Sequence, residues 1–326
     1  MPKLIVSLLI GFGFASAAFA DIYISGFVDT GGLFTPVNYP GATQTYLYGV
    51  NNSGQIVGQF GIDGSTQCCF VDTGGVFTTF SGLTFVYGIN DSGQVVGSSS
   101  NSNSGVVDTG GLFTPVNYPG AAYSRLTGIN DSGQVVGEGN FFQQCGAGAY
   151  QAETYQGFVE TGGVYTPTNY PGAAETYVSG INDRGQIVGA GNFFSDACSQ
   201  GSSSSSQSFV ETGGVYTPIN YPGAIQTFAS GINDRGQVVG YFVDSSGAEH
   251  GFVETGGVYT PINYPGSPAT NPEGINANGE IVGSYLVSNQ APPTITPEPD
   301  LCGILAVCIL GLLVAARRKG KRIQRQ

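Results

Sequence analysis

Two short phrases alternate along this chain, six times each, and they restrict its fold more than any other feature. The first is GVNNSGQIVG from residue 49, GINDSGQVVG from 88 and 128, GINDRGQIVG from 180, GINDRGQVVG from 231 and GINANGEIVG from 274. The second is FVDTGG from 27 and 70, VVDTGG from 106, and FVETGG from 158, 209 and 252. In five copies it runs on into LFTPVNYPG, VYTPTNYPG or VYTPINYPG, whereas the copy at 70 continues VFTTFSG. Successive first phrases stand 39, 40, 52, 51 and 43 residues apart, and the two long intervals carry insertions after VVGEGNFF and IVGAGNFF. A period of this length marks one supersecondary unit that needs its neighbours to bury its apolar face.

Each unit reads as four short strands, which around residue 231 are TFASGIN, GQVVGYFV, HGFVET and VYTPINY. The 53 glycines and the many Val, Ile, Tyr and Phe suit strands and turns rather than helices. Asp234-Arg235, flanked by Asn233 and Gly236, is a tight hairpin connection, because Asn and Asp bond their own backbone and Gly takes positive φ freely. TGG makes a second hairpin in the same way. A calcium loop would need further carboxylates at alternate positions, and a phosphate-cradling glycine motif would need a helix after it. NDRGQ supplies neither.

The strand of the VYTPINY type carries a proline in its middle, at Pro36, Pro115, Pro167, Pro218 and Pro261. Proline cannot donate to a ladder, so this strand belongs at a sheet edge. GQVVG and GFV are apolar on both faces and belong in the middle. The chain begins with a GFV strand and an outer strand, Ile24 to Tyr39, and finishes with an inner pair, residues 273 to 287. Each end is half a unit, and the halves are complementary. Joining them closes a ring and removes exposed sheet edges, which an open solenoid would not do. The expected fold is all-β: a six-bladed β-propeller with four-stranded blades, closed by pairing of the N- and C-terminal half-blades, over residues 21–288.

The ends of the chain read differently. Residues 1–20 carry Lys3, an apolar stretch from Leu4 to Phe14, and a small-residue cleavage site at Ala18 and Ala20, the pattern of a secretory signal peptide. Near the other end an apolar run, 301–316, is followed at once by the basic tail RRKGKR within 317–326. Sixteen helical residues reach about 24 Å against a hydrocarbon core of about 30 Å, a gap that snorkelling or a thin bilayer closes. One C-terminal transmembrane helix is therefore expected, with the basic tail cytoplasmic and the repeats outside. A Pro-rich linker, 289–300, joins the two.

The unit GFVETGGVYTPINYPGA…GINDRGQVVG resembles the HAF family of bacterial extracellular repeats, over roughly residues 25 to 287, although the chain has no Trp, which such repeats often carry. The tail resembles a PEP-CTERM sorting signal: Pro297, Glu298 and Pro299, then the apolar span, then Arg317, Arg318 and Lys319. The resemblance implies recognition by an exosortase-type processing protease at the membrane, a cell-surface or extracellular destination, and exopolysaccharide as a partner.

Between Asp21 and Pro297 twenty acidic side chains face three arginines, Arg125, Arg184 and Arg235, with no lysine and a single His250. That balance excludes a nucleic-acid partner, which needs phosphate neutralisation. Cys302 and Cys308 lie in the apolar run, where they serve as small apolar residues. Cys68, Cys69, Cys145 and Cys198 fall between the two central strands of their units, outside the cytoplasm where disulfides persist. Cys145–Cys198, in matching insertions, is the favoured pairing, leaving Cys68–Cys69 as a vicinal bridge or two thiols; the other pairings stay open. No metal site and no cofactor is expected, since His250 is alone and adjacent cysteines are poor tetrahedral partners. No catalytic group stands out either. The acids before TGG (Asp29, Asp72, Asp108, Glu160, Glu211 and Glu254) repeat around the ring and read as strand-edge solubilisers rather than a catalytic pair.

Binding has more support. Phe141, Phe142, Phe193 and Phe194 sit in the insertions and are candidates for stacking on sugar rings, or else they pack beneath their own loops. The expected function is a non-catalytic exported surface or matrix protein; a glycan-binding adhesin is the alternative, and a propeller hydrolase the remote third.

Overall fold

The computed structural model describes residues 23–62, 65–99, 103–144, 151–194 and 205–287. The signal segment with Ala18 and Ala20, the linker with Pro297, Glu298 and Pro299, the apolar run 301–316 and the tail 317–326 lie outside the described residues. Among the described residues there are twenty-four strands, and no helix is long and apolar enough to cross a membrane.

The strands fall into antiparallel sets of four, ordered inner, central, central, outer. One set is Gln44–Val50, Gln55–Ile62, Ser65–Thr73 and Val76–Thr79. The inner strands of the other sets are Phe85–Ile89, Tyr123–Ile129, Glu175–Ile181, Gln226–Ile232 and Thr270–Ile275. The set that begins with Thr270–Ile275 is completed across the chain ends: Glu280–Val287 pairs antiparallel with Tyr23–Thr30 over eight residue pairs, and Tyr23–Thr30 pairs with the outer strand Leu33–Val37. The complementary half-units therefore join as expected.

The sheets are not six separate ones, and that expectation is corrected. Four sets stand as four-stranded sheets, while the closing set and the set starting at Gln44 merge into one eight-stranded sheet. A single parallel bridge, Ile24 to Gln44, makes the merger, because the crossing turn sets the head of one strand beside the head of the other.

The prolines lie on the outer strands, opposite the central-strand residues Phe27, Val106, Phe158, Phe209 and Phe252. There the missing N–H breaks no further ladder. The core lies between neighbouring sheets: Val57 and Cys69 of one set pack with Val86 and Ile89 of the next. Phe27, Phe70, Phe158, Phe209 and Phe252 are fully buried, each contributing about 1.5–3 kcal/mol by transfer from water.

The three glycines of each first phrase have three separate causes. At Gly180 a Cβ would lie 3.8 Å from the Cα of Gly231, and at Gly128 it would lie 3.1 Å from the Cα of Gly180. At this glycine neighbouring inner strands come close to one another. Gly185 closes the turn at φ 71°, in the left-handed region. Gly189 faces a bulge in the inner strand, and a Cβ there would lie 2.2 Å from the Tyr177 carbonyl oxygen.

Candidate functional site: the axial channel

Each inner strand is followed at once by the Asn of the first phrase. Asn182 shows the pattern: its Oδ1 accepts from the backbone N–H of Arg184 and Gln186 at 3.1 and 2.9 Å. Its Nδ2 donates to Gln186 Oε1 at 2.9 Å and to the carbonyl of Asn233, in the next unit, at 2.8 Å. The same inter-unit bond runs from Asn51 to Asn90, Asn90 to Asn130, Asn130 to Asn182, Asn233 to Asn276 and Asn276 back to Asn51, at 3.0–3.2 Å. These buried amides form a closed ring about the axis. The glutamine three residues after the Asp continues outward, as when Gln186 Nε2 donates to the Thr212 hydroxyl of TGG at 3.2 Å. The phrase is turn chemistry, and it is also the closure of the ring.

Outside the amides runs a partial second ring. The N–H of Asp91, Asp131 and Asp183 donates to Asp131, Asp183 and Asp234 respectively at 2.7–2.8 Å, and it breaks where Ala277 stands instead of a carboxylate. Burial first, then the neighbouring carboxylates, push Asp131 up, while the N–H of Asp91 pulls it down.

The acids before TGG are not edge solubilisers. Asp29, Asp72 and Asp108 accept from the N–H of Gly32, Gly75 and Gly111 at 2.6–2.7 Å, and Glu160, Glu211 and Glu254 do the same for Gly163, Gly214 and Gly257. Five of the six are buried, and each locks a turn of two positive-φ glycines.

The inner strands start on the opposite face, where the insertions and YPGA crossings lie. Two layers of their side chains do not repeat. One residue before the axial glycine stand Tyr48, Tyr87, Thr127, Ser179, Ser230 and Glu273, and three before it stand Tyr46, Phe85, Arg125, Tyr177, Phe228 and Asn271. They meet across unit boundaries. Tyr48 and Tyr87 pack edge to face with centroids 5.7 Å apart, Arg125 lies over Tyr87 at 5.5 Å, and Tyr177 lies 5.1 Å from Tyr155, on the central strand Gln151–Thr161 of the neighbouring unit.

Arg125 forms an ion pair with the fully buried Glu138. Burial opposes the charge on Arg125, but Glu138 and then Tyr87 more than offset this and raise its pKa. The Tyr123 and Tyr155 hydroxyls are 2.8 Å apart, and Tyr177 donates to Glu175 at 3.0 Å. Glu273 is half-buried. Burial pushes it up to about 8, against a hydrogen bond from Ser230. Burial likewise raises Glu175 and Tyr48. Gln59 Nε2, Asn140 Oδ1 and Asn271 Oδ1 are buried without a hydrogen-bond partner. Sequence reasoning missed this site because it searched for motifs. Its signal is the reverse: positions that differ between repeats inside a strictly repeated phrase.

Cys145 and Cys198 lie outside the described residues. Cys68 and Cys69 lie within the strand Ser65–Thr73 rather than in a connection, and both are free thiols. Consecutive strand residues point to opposite faces, so a vicinal bridge is not formed. Their sulfurs approach different carbonyls, those of Phe80 and Leu83, and burial pushes Cys69 up to about 12.

The phenylalanine pairs divide. Phe141 and Phe193 pack edge-on against Tyr118 and Tyr170, at 5.6 and 5.7 Å. In other units an aromatic two residues nearer stacks on the equivalent Tyr, as Phe242 does on Tyr221 at 3.6 Å. Gly139 and Gly191 replace it here, and a Cβ on either would run into that Tyr. Phe193 and Phe141 are thus packing residues and Phe194 is half-buried, while Phe142 is 53% exposed. His250 bridges Asp244 at 3.1 Å and Asn263 at 3.2 Å beside the ring of Phe242, which holds its hairpin.

This geometry defines a β-propeller, and one solved structure supports the fold. The putative TolB from Agrobacterium tumefaciens matches with a TM-score of 0.55 at 10% identity, covering 82% of this chain and 99% of that one. The β-propeller domain of the Trilobed protease from Pyrococcus furiosus matches at 0.45, with 11% identity over 78% and 80% of the two chains. A mutant of AofleA from Arthrobotrys oligospora matches at 0.43, with 13% identity over 81% and 83%. No protein-family model and no curated protein matches the chain.

Proposed function

We propose that this chain is an exported, non-catalytic propeller of the cell surface or extracellular matrix, counted as six blades. The observation that supports it most is the use of its repeated polar groups. The ring asparagines and the acids before TGG are each engaged in hydrogen bonds that close turns or join units. That leaves them as scaffold rather than reacting groups. The N-terminal leader and the PEP-CTERM-like tail support export, exosortase-type processing and an envelope or exopolysaccharide setting. The test is the intact mass of the mature protein from its native host, with fractionation of membrane from medium. Loss of everything beyond about Pro299 is the expected result; an intact tail in the membrane fraction would remove the sorting reading and leave a tethered propeller.

A second reading, glycan binding on the loop face, is favoured by the exposed Phe142 and by the aromatic and amide groups of the channel.

A further inference from the structure

In a ring of repeats, positions dictated by folding recur, and positions free of that demand need not. The channel layers beyond the axial glycines are of the second kind, and their differences are organised. Aromatic residues gather on the wall built by the first two inner strands, Gln44–Val50 and Phe85–Ile89. Glu273 adjoins that wall from one side, through Tyr48, and Arg125 from the other, through Tyr87. Gln59, almost wholly buried on the strand next to Tyr46, accepts from the Tyr48 hydroxyl at 3.5 Å and leaves its Nε2 donor without a partner. Two acceptors, Asn140 Oδ1 and Asn271 Oδ1, are also unpaired. Buried polar atoms without partners are uncommon and point to a missing ligand or water.

We propose that the loop-side end of the axial channel binds one neutral pyranose unit of a glycan, with Tyr48 and Tyr87 as its stacking wall and Gln59 and Glu273 as hydrogen-bonding groups. This narrows the glycan reading above and rests on it. Aromatic walls with a few placed polar groups are the usual make-up of a small-molecule site. A hydroxyl both donates and accepts, so a sugar hydroxyl matches the unpaired Gln59 N–H and the Glu273 carboxyl alike. An acidic sugar is disfavoured, because Arg125 already serves Glu138, while Glu153 and Glu249 add negative potential. Arg184 and Arg235 lie in the turns at the far face. The glycine layer narrows the axis behind the site, which suits a chain end rather than a threaded polymer.

The test is saturation-transfer NMR on the full chain with methyl glucoside, galactoside and mannoside, together with methyl glucuronide and choline chloride. At least one neutral glycoside should receive saturation. Its binding should weaken at least tenfold in Tyr87→Ala and Gln59→Ala, persist in the fold-preserving Tyr87→Phe, and be unchanged in Phe142→Ala. Binding abolished by Phe142→Ala but indifferent to Tyr87→Ala would overturn the channel site and keep the glycan reading. Binding of glucuronide or choline instead of neutral sugars would overturn the proposed chemistry. No saccharide binding at all would overturn the glycan reading itself, while leaving the surface-protein reading to its own mass measurement.

Discussion

Replacing Asn182 with alanine removes one link of the axial amide ring. Four hydrogen bonds go: two to its Oδ1 from Arg184 and Gln186, and two from its Nδ2, to Gln186 Oε1 and to the Asn233 carbonyl. At about 1 kcal/mol net for each, the loss is about 4 kcal/mol, and the buried Asn233 carbonyl loses its inter-unit donor as well. Asp183→Ala is the control. It removes a single exposed acceptor, for the N–H of Asp131 at 2.7 Å, and should cost no more than about 1 kcal/mol. Both are read by urea unfolding of the full chain, where the midpoint should fall in Asn182→Ala with the slope unchanged. A loss in Asn182→Ala no greater than that in Asp183→Ala would show that the amide ring decorates the fold without holding it.

Gly137→Ala should destabilise by more than about 3 kcal/mol, because its Cβ would sit 2.0 Å from the Arg125 carbonyl oxygen; Gly133→Ala, strained only by φ 79°, should cost about 1–2 kcal/mol in the same unfolding assay. Glu273 is raised to about 8 from 4.5, so the folded state holds a proton that the unfolded state gives up between those values. Stability should therefore fall as pH rises from about 4.5 to about 8, and Glu273→Gln should flatten that slope; a slope unchanged in the variant would show that another group is responsible. Phe141→Ala should lower stability by about 1–2 kcal/mol through lost packing on Tyr118, while Phe142→Ala should stay within about 0.5 kcal/mol, and equal losses on thermal unfolding would contradict the division of the pair.

The architecture was legible in the sequence wherever a single residue has a single physical consequence. Proline in the outer strand means an edge, Asn-Asp before Gly means a turn, and complementary half-units mean closure; all three appear in the strand pairing. The reason for Gly189 was not legible, since a bulge in a facing strand has no local signature. Nor were the roles of the acids before TGG, because an exposed carboxylate and one locked onto a glycine N–H are written with the same letter. Cys68 and Cys69 were misplaced for a different reason: their strand begins at Ser65, five residues before its repeated phrase at Phe70. The channel site was hidden by the regularity around it, and it emerges only when the six copies are aligned on the axial glycine and the differences are read instead of the matches.

Closure carries the whole account, since the amide ring and the channel exist only if the first and last strands are bonded. Amide hydrogen exchange across Tyr23–Thr30 and Glu280–Val287 measures it directly. In a closed ring both strands should be protected to the same degree as the internal central strands such as Val238–Val243. Rapid exchange in Tyr23–Thr30, with the internal strands still protected, would show that the repeats form an open array.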